Sequence, residues 1–520
     1  MVAIYASLSL PLLLLATQVS ADGVTCTRDP SWRSTFKNWC MCQPCNLCEF
    51  KIFKGCRPLP QNPTTLSDGS DMPLKQPLLA SKDWFLSEDD ITKSRGGARR
   101  DRLAVATSGN RVNIFADTSA AFASMHKDIS MATAAYFSGW TLHDIPYIPQ
   151  IDPSMTFKKT WAKAIATNNL HAHGLVWENL VELGKVTDMF SWMNTLNNSN
   201  CKNVQLMTDD RINKPTGSHH QKSLILTRHA DMVSYVGGLD QSLDRWDTKY
   251  HNETALRKRT GINGANDGWV DVHARLHGPA TKDVLHNFLD RWNDPVYPGK
   301  PYGWPLVKSP VKIDDAWNVP KKTLPPTDIL SRVRADASVG THDVQILRTY
   351  SCKYKGYKSF APKGETSIFA GRIKAIRNAK NYIYIEDQYF IHVPELLDEL
   401  LKILPRIQRL IVFTVTPQGQ EAAVGYQKYQ YDMMAPLLEK FPKKVQIYIP
   451  DPRRNIYVHS KLEDGEIDEC QNLEWLATQP RIVQVTCECQ RSNFSVFNCP
   501  AMTAYMQMEQ EAIESTTIDA

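Results

Sequence analysis

Beyond its first 21 residues the chain has no apolar run near the roughly 20 residues a bilayer-spanning helix needs, which excludes a bundle of such helices. Glycine (25 of 520 residues) and proline (31) are too sparse for a collagen-like fibre. A composition of 42% hydrophobic and 22% charged residues likewise excludes a disordered chain. Net charge is small, at +5, but it is unevenly placed. Residues 463–520 hold 11 acidic and 2 basic side chains, which leaves the rest of the chain at +14. A basic body suits an anionic partner, either a phospholipid surface or nucleic acid.

The first 21 residues, MVAIYASLSLPLLLLATQVSA, contain no charged side chain and end in Val19-Ser20-Ala21, a small-x-small cleavage pattern. They read as a secretory signal cleaved before Asp22, which would leave a secreted, extracellular chain with no transmembrane segment. Twelve cysteines then favour disulfides. Cys26, Cys40, Cys42, Cys45, Cys48 and Cys56 make a compact module at 22–57. Zinc is the competing reading of Cys42, Cys45 and Cys48, but no histidine lies nearby. Sequons at Asn197, Asn252 and Asn493 are compatible with glycosylation. A polar linker spans 58–77.

Strand-like and helix-like segments then alternate, the mark of an α/β fold. The order runs through once in residues 78–310 and again in 311–462, before an acidic, atypical tail at 463–520. The first pass has strands at 111–115, 135–140 and 174–178 with helices at 120–133 and 157–166; the second has strands at 342–347, 382–386 and 410–415 with helices at 366–378 and 395–403. Both passes close alike. Asn203-Val-Gln-Leu-Met-Thr-Asp-Asp-Arg211 is answered by Lys444-Val-Gln-Ile-Tyr-Ile-Pro-Asp-Pro-Arg453, and His220-Gln-Lys222 by His459-Ser-Lys461. With Trp177 laid on Thr416, both histidines fall 43 residues downstream. A duplication predicts two similar halves, each with a central mixed sheet flanked by helices, related by a pseudo-two-fold axis.

On a strand, residues i and i+2 face the same way, so each His-x-Lys pair projects together. If the halves pack about the axis, His220, Lys222, His459 and Lys461 meet. That set suits a phosphodiester: the lysines neutralise phosphoryl oxygens, one histidine attacks phosphorus, and the other protonates the departing oxygen. The chemistry needs no metal or other cofactor. Both motifs lie in one chain, so a monomer suffices.

His220-x-Lys222 with its apolar strand and Val236-Gly-Gly-Leu-Asp-Gln-Ser-Leu-Asp-Arg-Trp-Asp-Thr248 together resemble the first catalytic motif of the phospholipase D superfamily. Gly268-Trp-Val-Asp-Val-His-Ala-Arg-Leu-His-Gly-Pro279, Phe288-Leu-Asp-Arg-Trp292 and Ile383-Tyr-Ile-Glu-Asp-Gln-Tyr-Phe390 resemble further segments of those enzymes. The likeness runs from about Trp84 to Lys461 and leaves out the cysteine module. It implies hydrolysis or exchange of a phospholipid head group through a phosphohistidine. It also implies His220 as nucleophile, His459 as general acid, Lys222 and Lys461 as phosphate ligands, and Asp271 as the carboxylate on the first histidine's other ring nitrogen. Chain length favours a phospholipid membrane surface over nucleic acid as the substrate.

Two departures from the family pattern H-x-K-x4-D stand out. Thr227 takes the aspartate position of the first copy. After Lys461 the chain reads Leu-Glu-Asp-Gly-Glu-Ile-Asp-Glu-Cys470, with no apolar strand to support the second histidine. Elsewhere, the basic loop Arg95–Arg102 reads as solvated, with head-group contact as the alternative. His171-Ala-His173 reads as structural. Trp84-Phe85, Trp140 and Trp177 read as core or as the mouth of a substrate site.

Overall fold

The computed structural model of the chain describes residues 81–177, 192, 204–209, 211, 219–262, 266–296, 323–351, 356–415, 426–450, 454–464 and 505–507. The expected signal, cysteine module and linker lie outside the described residues, as does nearly all of the acidic tail.

Strand β1 (Thr107–Phe115) leads to β2 (Ala134–Gly139) and the hairpin β3 (Pro146–Ile148) and β4 (Asp152–Thr156). Then come β5 (His171–Trp177), β6 (Val204–Asp209), β7 (Ser223–Arg228), β8 (Asp231–Gly237), β9 (Gly268–Val270) and β10 (His273–His277). The strand β7, Ser-Leu-Ile-Leu-Thr-Arg, has no polar alternation because both its faces are covered. Leu224 and Leu226 enter the core under the helices Thr118–Ile129 and Phe157–Asn168. Ile225 points to the opposite core, formed with Val284, Leu285, Phe288, Leu289 and Trp292 of the helix Ala280–Trp292. Each of these large side chains contributes about 1.5–3 kcal/mol on burial. Caps fix the helix ends: Asp117 accepts from Ser119 N and Ala120 N, and Asn169 ends its helix in the left-handed region (φ 51°).

The later strands are β11 (His342–Leu347), β12 (Thr349–Tyr350), β13 (Glu365–Thr366), β14 (Tyr382–Asp387), β15 (Arg409–Phe413), β16 (Val445–Tyr448), β17 (Ile456–Val458), β18 (Lys461–Asp464) and β19 (Tyr505–Gln507). Among the described residues the large mixed sheet runs β19-β11-β1-β10-β8-β7-β2-β5-β6, and a smaller one runs β16-β15-β14-β18. The repeat seen in the sequence reappears as topology. In β7-β2-β5-β6 the first pair is antiparallel and the other two are parallel, and β18-β14-β15-β16 follows the same order and directions. The expected elements form with small shifts at their ends.

Two placements differ from expectation. The chain after Lys461 does make a strand: β18 pairs antiparallel with β14, from Asp387↔Lys461 to Tyr384↔Asp464. Backbone pairing, which any side chain permits, supplies what the apolar pattern did not signal. And β11, placed by the sequence at the opening of the second half, hydrogen-bonds to β1 within the large sheet, between β1 and β19. A further crossing joins the two parts, since β17 pairs in parallel with β9. No helix among the described residues is long and apolar enough to cross a membrane.

Candidate active site

The tetrapeptide His219-His220-Gln221-Lys222 enters β7 extended, so its side chains alternate between two environments. His219 and Gln221 turn inward. His219 Nε2 packs on the Tyr357 hydroxyl and lies 3.4 Å from Asp209 Oδ1. Burial, against the pull of Asp209, keeps this imidazole well below its usual range and therefore neutral. Gln221 Oε1 accepts from Arg291 (2.6 Å) and Asn287 (3.1 Å), and its amide donates to Tyr350 (3.3 Å). Asp209 joins the same network through Arg211 Nε (2.7 Å) and Arg291 (2.9 Å). Despite its desolvation, these cations hold its carboxylate well below the ordinary range.

His220 and Lys222 turn the other way. Lys222 Nζ donates to the His220 carbonyl (2.7 Å) and lies 3.3 Å from Asp240 Oδ2. Burial lowers the pKa of this ammonium, and Asp240 opposes that shift. Asp240 also accepts from Trp140 N at 3.1 Å. The Trp140 ring stands edge-on to His220, at 5.4 Å between centroids, and stacks on Trp177.

The second histidine arrives on β17. Pairing with β9 lets His459 N donate to Val270 O (2.8 Å), one residue short of Asp271. Asp271 Oδ2 then meets His459 Nδ1 at 2.9 Å, across 188 residues of sequence. The same oxygen accepts from Trp269 Nε1 (3.2 Å), and Oδ1 accepts from Val272 N (3.0 Å), so the carboxylate is held from several sides. This close approach requires glycine at 238, where a Cβ would collide with Asp271 Oδ1. The His220 and His459 rings come to 5.8 Å between centroids.

The expected convergence of the two histidines, with Lys222 beside them, is therefore present. Lys461 occupies the first position of β18, opposite Asp387. Asp271 needs correction: the carboxylate expected on His220 serves His459, because β9 pairs with the strand that carries the second histidine. Thr227 lies at the far end of β7 against Thr133 (Oγ1 to Oγ1, 3.3 Å). Five strand residues, roughly 16 Å, separate it from Lys222, so the departure from the family pattern falls away from the reacting groups.

The basic loop is solvated at Arg99 and Arg102, as expected, while the Arg95 and Arg100 side chains turn inward. Arg95 bonds to Glu365, Arg100 to the carbonyls of Ile346 (2.8 Å) and Ala104 (2.6 Å), and Arg102 to Asp290 (2.7 Å). Arg348 closes that network on Glu365 and Asp290, both at 3.0 Å. Trp84 and Phe85 are core, Trp140 stands against His220, and the buried Trp177 backs Trp140 by stacking on it. His173 packs between Tyr136 and Trp292, a structural role.

The sequence reading passed over Asp240, Trp269 and Glu386. Burial raises the pKa of Glu386 at the end of β14, against the Tyr384 hydroxyl that donates to it (2.9 Å). Glu386 pairs across to Leu462, directly after the second motif. Its place in a segment already marked as family-like was the available signal.

Residues 192–403 match the family model described as Phospholipase D. With the paired histidine motifs, this match makes the phospholipase D superfamily the family that the chain resembles. Among its relatives, phospholipase D gamma 1 of Arabidopsis thaliana is 32% identical over 209 residues, covering 34% of this chain and 24% of that protein. Phospholipase D beta 2 of the same plant is 34% identical over 214 residues, covering 34% and 22%. The chain thus spans about a quarter of the length of these curated relatives. Among solved structures, phosphatidylserine synthase of Haemophilus influenzae Rd KW20 aligns with a TM-score of 0.43 and 10% identity, over 68% of this chain and 76% of that one.

Proposed function

We propose that the protein is a phospholipase D-type phosphodiesterase that releases the head group of a glycerophospholipid, or exchanges it for an alcohol, through a phosphohistidine. The observation that carries this reading is the meeting of His220 and His459, 5.8 Å apart, at equivalent points of two repeated strand arrangements. A ring nitrogen of neutral His220 attacks phosphorus, and the bond from phosphorus to the head-group oxygen breaks. Protonated His459 gives that oxygen its Nε2 proton while Asp271 on Nδ1 stabilises the imidazolium. Water or an alcohol then gives a proton to His459, its oxygen bonds phosphorus, and the phosphorus–nitrogen bond breaks. Phosphatidic acid or the new phosphatidyl-alcohol leaves, and His220 is neutral again. Lys222, with Lys461 from the second motif, offsets the charge on the phosphoryl oxygens.

A lipid substrate is favoured over nucleic acid because the relatives are named as phospholipases D. The leader-like first 21 residues support export, and two motifs in one chain support a monomer. The test is to incubate the purified protein with phosphatidylcholine vesicles and a primary alcohol. Phosphatidyl-alcohol should form, and His220→Ala and His459→Ala should each reduce it by about 10⁴-fold or more. Vesicle binding without product would replace the enzyme reading with a binding one. Product from His220→Ala would refute the nucleophile assignment. Protein recovered from the medium should begin at Asp22.

A further inference from the structure

We propose that Arg245 binds the substrate phosphate, as a third cation of the site; this rests on the phosphodiesterase reading above. Arg245 sits in the Leu243-Asp-Arg-Trp246 turn, whose backbone is clamped on both sides. The buried Arg257 donates to the carbonyls of Asp244 (2.8 Å) and Trp246 (3.0 Å), and Asp244 is held at φ 74°. The Arg245 guanidinium lies 3.8 Å over the Trp269 ring. That indole donates to Asp271 and packs 5.0 Å from the His459 ring, so Arg245 is one residue removed from the reacting histidine.

The Arg245 guanidinium is held by its stacking on Trp269. Its buried Nε has no hydrogen-bond partner among the described residues, in contrast to Arg257 beside it. A desolvated donor left open is costly, and an entering anion would fill it. Charge points the same way. Lys222 is already matched by Asp240, and Asp271 is engaged by His459, so a further cation would add to the positive charge offered to a phosphodiester. Arg245 is near enough to act electrostatically on Lys222, and a planar fork stacked on an indole presents its donors with little orientational freedom.

The alternative is that Arg245 only props Trp269. Arg245→Met keeps an extended side chain on the indole and removes the charge. We expect inorganic phosphate to inhibit this variant about tenfold or more weakly as a competitor, and KM for a phosphodiester to rise, with kcat changed less. The melting temperature should stay near that of the wild type. Phosphate inhibition equal to the wild type, or a fall in stability alone, would overturn the assignment. Arg245→Gln decides by the same comparison if Arg245→Met does not fold. A wild-type protein that neither binds phosphate nor cleaves a phosphodiester would sink the functional reading as well, whereas equal inhibition of wild type and variant sinks only the role of Arg245.

Discussion

The two His-x-Lys segments end up in unlike surroundings. The first is anchored by its alternate residues: His219 and Gln221 are locked into the buried network of Asp209, Arg211, Asn287, Arg291 and Tyr350. The second has a lighter anchor in its middle residue, since the buried Ser460 hydroxyl lies beside Glu386 and takes part in no comparable network among the described residues. Its histidine is oriented instead by the first half, through Val270, Asp271 and Trp269. A duplicated motif therefore need not duplicate its support. The second copy tolerates an altered strand after Lys461 because the groups that aim His459 come from elsewhere.

The largest expected effect tests that division directly. Asp271→Asn should slow head-group release by about 10²–10⁴-fold. If Asp271 serves the general acid, a substrate with a p-nitrophenol leaving group, which needs no protonation, should lose far less. An equal loss on both substrates would return Asp271 to the nucleophile. Next in size is the contrast between the middle residues. Gln221→Leu strands Arg291 and Asn287 and should cost about 2–4 kcal/mol in denaturant unfolding, whereas Ser460→Ala should stay within about 1 kcal/mol.

Restoring the family aspartate should not help. Thr227→Asp places a carboxylate at a buried position beside Thr133 and should lower stability by about 1–3 kcal/mol while leaving kcat/KM unchanged. A gain in activity would show that Thr227 reaches the site after all.

The smallest effect concerns Asp283, on the helix that backs the first motif. Burial raises its pKa to about 6, against the Ala104 N–H it accepts (2.9 Å) and nearby Arg100. A raised carboxyl pKa means its contribution is fully present below the unfolded value near 3.8 and is lost as pH rises through about 6. Asp283→Asn should therefore stabilise the protein by about 1–2 kcal/mol at pH 8 and hardly at all at pH 4, read as the difference in melting temperature from wild type. A pH-independent difference would remove Asp283 as a titrating group.

Much of this was legible in the chain itself. Strands such as β11, expected and found at His342–Leu347, declare themselves by local pattern, and the i, i+2 rule selected His220 over His219. Partners distant in sequence were not legible. Arg95 and Arg100 look like a solvated basic loop because nothing nearby announces Glu365, 270 residues away from Arg95. The strand after Lys461 was missed because its pairing with β14 is a backbone matter that side-chain pattern does not report.

By itself the sequence determined the α/β alternation, the internal repeat and the two histidines with their lysines, since each follows from local periodicity and spacing. Tertiary structure alone decided which histidine Asp271 serves, where Thr227 falls, and that an arginine lies on Trp269 beside the site. Those facts depend on the pairing of β9 with β17, a contact between segments whose local sequences carry no record of each other.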